Sequence, residues 1–147
     1  MITKNHKNIA SLLHISAFSK LFIPFGTIIG PLIVWVTTRE KSEFIDQNGK
    51  EALNFNISVL LYTVVLALFC IPLALHFGFS VENFEAIHGH VEAYDLLNFK
   101  NNIIFLMIFG VLFVSLFALS IYAVIMAAIK ASEGEVYNYP LKIKFIK

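Results

Sequence analysis

The side chains best suited to chemistry in this chain are a few polar and ionisable groups set among long apolar stretches. His88 and His90 flank a glycine, and Glu85 and Glu92 lie close by in sequence. Imidazole and carboxylate groups can bind a metal ion, but a stable site needs a larger ligand set than this one. We prefer to interpret the pair as an exposed turn, and we predict neither a metal site nor a cofactor.

A second polar group, Asp46, Lys50 and Glu51, precedes the apolar run Ala52–Ile71. One interpretation is a helix start, in which Asn48 is the N-cap and Glu51 completes a capping box. The alternative pairs Lys50 or Glu51 with a charge on the first apolar segment, which would lock the helices together or receive a substrate.

Within that run, Asn54, Ser58 and Tyr62 share one helical face at intervals of four residues, and Asn56 lies nearby. In lipid, such a polar stripe typically forms interhelical hydrogen bonds worth about 0.6 to 2 kcal/mol each. A lining for permeation is the alternative.

Two ionisable groups, His14 and Lys20, lie in the first apolar segment. Charge inside a membrane is costly and often functional, so handling of a proton or a substrate is one hypothesis for His14. A neutral, hydrogen-bonded His14 and a Lys20 that reaches the interface are the alternative. No nucleophile–base arrangement, phosphate loop or pair of catalytic carboxylates stands out, so we predict no catalytic residues and no enzyme activity.

The same segment carries residues that interrupt helices: Pro24, Gly26, Gly30 and Pro31. A break there frees backbone groups, which need partners inside the protein. Broken helices also form binding sites in transporters, which keeps a transport role open.

The surrounding elements are long and apolar. Hydrophobic residues make up 58% of the 147 residues and charged residues 14%, against about 25% charged in soluble domains. The run Ile103–Ile129 contains no ionisable Asp, Glu, Lys, Arg or His and would reach roughly 40 Å as a helix. We predict an all-α polytopic membrane protein with three long apolar segments, Leu21–Thr38, Ala52–Ile71 and Ile103–Ile129, the first broken at Pro24–Gly26.

Charge predicts the orientation, because Lys and Arg collect on the cytoplasmic side. The link at 39–50 holds three basic residues and the C-terminal tail holds four, whereas the link at 76–102 holds only Lys100 against four acidic residues. We therefore place the acidic link outside and the C-terminus in the cytoplasm. If the first segment is a hairpin, Lys4 and Lys7 also lie inside, which fits the charge count best. A single broken span, or an interfacial helix followed by a span, are the alternatives.

The tail combines Tyr137-Asn-Tyr-Pro140 with three later lysines. This composition predicts an interfacial anchor on an anionic leaflet. The acidic link shows a helical rhythm of apolar residues, Phe84, Ile87, Val91 and Tyr94, typical of a short interfacial helix.

Several blocks of the sequence resemble a known family. They are Leu13-His-Ile-Ser16, Phe22-Ile-Pro-Phe-Gly26, Ile28-Ile-Gly-Pro-Leu-Ile-Val-Trp35, Asp46-Gln-Asn-Gly-Lys-Glu-Ala-Leu-Asn-Phe-Asn56, the block 127–140 and the ending Ile143-Lys-Phe-Ile146. Together they resemble the DUF4870 (Tic20-like) family of small bacterial membrane proteins. The resemblance implies one domain over 1–147, with an outer insertion at about 77–102, and allows a four-helix bundle.

Relatives by resemblance include a chloroplast import component and some magnetosome-membrane proteins. They imply an accessory role in membrane-protein assembly, translocation or membrane organisation in the bacterial inner membrane. A small oligomeric transporter or channel subunit is the alternative. The expected partners are the lipid bilayer and either another membrane protein or further copies of this chain. The net charge of +1 gives no reason to expect nucleic acid.

Overall fold

The computed structural model describes the backbone of residues 2–81 and 93–147, and the side chains of residues 2–72 and 103–147. Over those residues the chain contains helices and no strand, which confirms the all-α class. The α-helices are α1 (Lys4–Ile15), α2 (Gly26–Thr38), α3 (Glu43–Val81) and α4 (Ala93–Glu133). Short 3-10 segments, Ser16–Leu21 and Arg39–Lys41, follow α1 and α2.

The first apolar segment is a hairpin of two short helical arms. Phe25 takes a left-handed conformation, with φ of 61°, immediately after Pro24. The chain reverses there, and the 3-10 segment Ser16–Leu21 packs against α2. Glycine is required at the contact, because a Cβ on Gly26 would lie 2.4 Å from the backbone of Ser19. A Cβ on Gly30 would likewise lie 2.3 Å from a backbone oxygen, that of Ser16.

The prediction of three long apolar segments is wrong. Only two helices of the described residues are long and apolar enough to cross a membrane, within Glu43–Pro72 and Ile103–Glu133. The helices α1 and α2 have 12 and 13 residues, whereas a crossing needs about 20. The two candidate spans are 17% and 6% buried over their most apolar windows. Such exposure of apolar helices is expected in lipid and is costly in water.

The described chain divides into two compact units. The first comprises Met1–Leu61 and Ala118–Lys147, and the second comprises Tyr62–Phe117. In the first unit, α1 packs against the beginning of α3 and the end of α4. Its core consists of three groups of buried side chains: Ala17, Phe55, Ala123, Val124, Ala127 and Tyr139; Leu13, Trp35, Ile45, Ala52 and Leu53; and Ala10, Phe44 and Ala131.

The second unit has an apolar exposed surface. Its described side chains include many large apolar residues that are more than 40% exposed, among them Leu68, Phe69, Met107, Val111 and Val114. Pro72 lies inside α3, which continues to Val81. The exposed surfaces of both helices in this unit are therefore apolar.

The start of α3 differs from the predicted helix start. The helix begins at Glu43, and the side chain of Ser42 accepts a hydrogen bond from the amide of Phe44 at 3.1 Å. Asn48 and Glu51 are therefore interior helical residues, and the predicted capping box between them is wrong. Serine is a preferred residue at this position because its hydroxyl satisfies one of the free amides of the first turn.

Much of the predicted outer link is helical. The helix α3 extends to Val81 and α4 begins at Ala93, so both enter the predicted insertion at about 77–102. The predicted interfacial helix around Phe84 and Val91, and the pair His88 and His90, lie mostly or wholly outside the described residues.

Candidate functional site

The most unusual feature of the first unit is a fully buried histidine. His14, on α1, has no solvent exposure. Its Nε2 lies 2.9 Å from Oδ1 of Asn48 on α3. Its Nδ1 lies 2.9 Å from the hydroxyl of Tyr139, in the C-terminal segment (residues 135–147). The side chain of Asn48 also donates to the carbonyl of Phe44 at 2.8 Å.

These partners determine the protonation state of the imidazole. Because the Asn48 amide nitrogen donates to Phe44, its oxygen must accept the proton on Nε2 of His14. The unprotonated Nδ1 then accepts from the Tyr139 hydroxyl. Burial lowers the pKa of His14 to about 4, an effect that the Asn48 bond and the charge of Glu51 oppose. Burial also raises the pKa of Tyr139, so the phenol remains a donor. The geometry therefore favours a neutral, hydrogen-bonded His14.

The predicted polar stripe of α3 binds the C-terminal segment. Asn54 donates to the carbonyl of Ile146 at 2.9 Å and accepts from the amides of Phe145 and Ile146 at 3.0 and 2.8 Å. Ser58, one turn further on, accepts from the amide of Ile143 at 2.7 Å. Both side chains are buried. Asn54 and Ser58 thus give the backbone of the C-terminal segment the hydrogen bonds that a neighbouring β-strand would otherwise provide.

An ion pair reinforces this docking. Lys142 pairs with Glu51, and their side chains are 10% and 19% exposed. The predicted pairing of Glu51 with a charge on the first apolar segment is wrong, because its partner Lys142 lies in the C-terminal segment. Lys50 pairs with Asp46 on its own helix at 2.6 Å.

The C-terminal segment is anchored by an aromatic side chain as well. Tyr139 is 3% exposed and stacks on Phe55, with ring centroids 4.3 Å apart. Tyr137 packs edge-on against Tyr139. The prediction that these aromatics form a membrane anchor is wrong for Tyr139, because its ring belongs to the core of the first unit.

Asp46 holds the end of α2 against α3. Its carboxylate accepts from the indole nitrogen of Trp35 at 2.9 Å. The guanidinium of Arg39 lies 5.4 Å from the same indole ring. Gly49 permits this contact, since a Cβ there would lie 2.0 Å from the indole. These residues border a surface pocket of about 690 Å³ with charges of both signs, from Arg39, Glu40, Glu43, Asp46, Lys50 and Lys147.

Lys20 and Asn56 meet at a second, smaller site. They line a cavity of about 20 Å³ together with Thr27 and Ser120. Asn56 also donates to the carbonyl of Ala52 on its own helix at 2.9 Å. A polar cavity of this size can hold one water molecule, but not a larger ligand.

The predicted residues therefore fall into separate places. His14, Glu51, Asn54 and Ser58 meet the C-terminal segment, whereas Asp46 and Lys50 face Trp35, and Lys20 and Asn56 share the small cavity. Pro24 and Gly26 lie at the turn of the hairpin, where the chain breaks as predicted. Gly30 and Pro31 lie inside α2, so the predicted interruption there is wrong. Among the described residues, no three His, Cys, Asp or Glu side chains are grouped so as to hold a metal ion.

Sequence reasoning missed the roles of Tyr139 and Lys142. A buried neutral histidine needs both a donor and an acceptor, so a phenol elsewhere in the chain was a reasonable candidate partner. Which of the five tyrosines fills that role is not readable from spacing. The polar stripe indicated that α3 carries hydrogen-bonding side chains on one face, but it did not identify the segment that they bind.

Comparison with known proteins corrects the family resemblance. Residues 5–146 match the MamF/MmsF family, described as the magnetosome magnetite crystal formation protein family. The resemblance to the DUF4870 (Tic20-like) family is therefore wrong as an assignment. No curated protein and no solved structure matches the chain at a significant level. Since the match spans almost the whole sequence and the two long helices are apolar and exposed, the chain is a membrane protein and belongs to the magnetosome magnetite crystal formation protein family.

Proposed function

We propose that this chain is a non-enzymatic, multi-pass protein of a bacterial inner membrane or a vesicle derived from it. There it supports magnetite crystal formation by organising the membrane or its protein content. The observation that carries the proposal is the family match over residues 5–146. The two apolar, exposed helices support residence in a bilayer.

The polar side chains of the first unit favour a structural over a chemical role. Both ring nitrogens of His14 are engaged, by Asn48 and Tyr139. Glu51 is paired with Lys142, and Asn54 is saturated by the backbone of the C-terminal segment. In the part of the chain with described side chains, no buried polar side-chain atom lacks a hydrogen-bond partner. Groups held in this way stabilise a fold and are poorly placed to exchange protons with a substrate.

The same contacts disfavour the transport alternative at the polar stripe. Asn54 and Ser58 are 2% and 0% exposed, because the C-terminal segment covers them. A permeation path needs polar side chains that face water, so the stripe is better suited to holding that segment.

The distribution of charge supports an orientation. Basic side chains lie where α1 begins and α2 ends, and Lys7 binds the last carbonyl of α4, that of Glu133, at 2.9 Å. We place this end of the first unit, and with it the C-terminal segment, in the cytoplasm. The acidic link then faces the compartment on the other side. We expect the partners to be lipid and either another membrane protein or further copies of this chain.

Deletion and complementation in a magnetite-forming host test the proposal. We expect a strain that lacks the gene for this chain to make smaller or fewer crystals, as seen by electron microscopy. Expression of the wild-type chain should restore crystal size and number, and the expressed protein should be found in the membrane fraction. A Cys70→Ala chain is the matched control and should complement fully. Normal crystals in the deletion strain would contradict the role in crystal formation. Ion or solute flux through the purified protein in liposomes would favour the transporter alternative.

A further inference from the structure

The tip of the N-terminal hairpin (residues 4–38) is apolar and exposed. Leu21, Phe22, Ile23 and Phe25 are 69%, 87%, 50% and 65% exposed. The outward face of α2 continues this surface with Ile33 and Val36, at 59% and 54%. Four large apolar side chains within the five residues 21–25, at a reversing turn, form a surface suited to hydrocarbon rather than water.

The opposite end of the hairpin is basic and lies beside the polar ends of the other helices. Lys7 reaches the carbonyl of Glu133 at the end of α4. Arg39 follows α2 directly and lies over Trp35, which bonds to Asp46 near the start of α3. The first arm of the hairpin therefore begins, and the second arm ends, on the same side of the first unit. The tip points away from that side.

The hairpin is too short to reach the other side of a bilayer. Its second arm, α2, has 13 residues and is therefore about 20 Å long. The hydrocarbon core is about 30 Å thick, so an arm of this length leaves the tip inside it.

Several polar groups near the tip bond to partners inside the protein, as hydrocarbon requires. The Ser19 hydroxyl donates to the carbonyl of Gly26 at 2.6 Å. The amides of Phe22 and Ile23 both donate to the carbonyl of Ser19 at 3.0 Å. Lys20 is the one charged residue in the sequence between His14 and Arg39, and it is half-buried against the polar cavity.

From these observations we propose that the N-terminal hairpin is a wedge in a single leaflet. It enters the membrane from the basic side, places Phe22 and Phe25 among the acyl chains, and returns to the same side. Because it adds volume to one leaflet only, the protein favours membrane that is convex on its basic side. This inference requires only that the chain lies in a bilayer, and it is independent of the proposed role in magnetite formation.

Cysteine labelling tests the insertion. Single cysteines replace Asn5, Phe22 or Lys41 in a Cys70→Ala chain, and sealed membrane vesicles of both orientations are treated with a membrane-impermeant maleimide. We expect Asn5→Cys and Lys41→Cys to react from the same side and Phe22→Cys from neither side until detergent is added. Reaction of Asn5→Cys and Lys41→Cys from opposite sides, or of Phe22→Cys in intact vesicles, would overturn the proposal.

A membrane-tube assay tests the consequence for curvature. Purified full-length protein is reconstituted in giant vesicles with its basic side outward, and thin tubes are pulled from them. We expect an enrichment of about twofold or more in the tubes relative to the vesicle. The double variant Phe22→Ser, Phe25→Ser should lose that enrichment, because it removes apolar volume from the wedge.

The matched control makes the same change outside the hairpin. Phe69 and Phe113 lie on the candidate spans and are 66% and 51% exposed, so Phe69→Ser, Phe113→Ser should keep the enrichment. All variants are first checked for a single monodisperse species in detergent. Equal enrichment of the hairpin variant and the wild type, or no enrichment of the wild type, would show that the hairpin is not a wedge.

Discussion

The Tyr139 hydroxyl donates a hydrogen bond of 2.9 Å to Nδ1 of His14, across 125 positions of sequence. This bond joins the C-terminal segment to α1, and through Asn48 it also connects both of them to α3. The C-terminal segment is therefore part of the folded core. Loss of its contacts is expected to weaken the whole first unit.

Stability should depend on pH through His14. Its pKa is about 4 in the fold against an ordinary value of 6.5. As the pH falls from 6.5 towards 4, the unfolded chain binds a proton that the folded chain does not. The free energy of unfolding should therefore decrease over this window, by at most about 3 kcal/mol, and be independent of this group above pH 6.5.

Thermal unfolding in detergent between pH 7.5 and 4.5 measures this effect. The comparison is His14→Gln, which removes the imidazole and should lose the part of the pH dependence that His14 contributes. A melting temperature that does not fall between pH 6.5 and 4.5 would contradict the neutral, buried His14.

Replacing Asn54 should release the C-terminal segment. Asn54→Leu removes three hydrogen bonds to the backbone of Phe145 and Ile146. We expect a loss of about 2 kcal/mol or more. Hydrogen exchange at these two amides should become faster.

Asn56→Leu is the matched control for this change. It is the same substitution at a buried position of the same helix, but Asn56 bonds to Ala52 on its own helix. It should alter overall stability without selectively releasing the C-terminal segment. Equal exchange at Phe145 in the two variants would argue against the docking role of Asn54.

The ion pair between Glu51 and Lys142 should couple these two residues. Glu51→Gln leaves the largely buried ammonium of Lys142 without its counter-charge, at a cost of roughly 2 kcal/mol. The double variant Glu51→Gln, Lys142→Met should be more stable than the sum of the two single changes predicts. Hydrogen exchange at the amide of Ile143 and thermal unfolding measure both effects.

Lys50→Gln provides the comparison for that pair. The bond from Lys50 to Asp46 joins side chains that are 32% and 25% exposed, so its loss should cost less than about 1 kcal/mol. If the stability losses of the single variants at Glu51 and Lys142 simply add in the double variant, the two residues do not interact.

The contact between Gly49 and Trp35 should not tolerate a methyl group. Gly49→Ala would place Cβ 2.0 Å from the indole, and overpacking of this kind costs about 1 to 3 kcal/mol. Since Trp35 is the single tryptophan of the chain, a change in its fluorescence reports the displacement directly.

Gly110→Ala is the control, because nothing lies within 4 Å of a Cβ at that position. It should be neutral or stabilising by up to about 1 kcal/mol through helix propensity. Similar losses of stability in the two variants would contradict the packing at Gly49.

The sequence by itself determined that the chain lies in a lipid bilayer and that its first apolar segment is broken. An apolar run such as Ile103–Ile129 has no stable arrangement in water unless other residues cover it, and little here does so. The reversal at Pro24–Gly26 was also readable, because proline and glycine restrict or permit backbone conformations locally. The number of long apolar segments was overestimated, since apolar composition alone does not distinguish a long helix from a short hairpin arm.

Only the tertiary structure decided what the polar residues do. Helical spacing placed Asn54 and Ser58 on one face, but their partners in the C-terminal segment lie about ninety positions away. The same holds for His14 and Tyr139, whose hydrogen bond depends on how α1, α3 and the C-terminal segment pack together. Periodicity in a sequence specifies the direction of a side chain relative to its own helix, whereas the identity of its partner depends on contacts between distant parts of the chain.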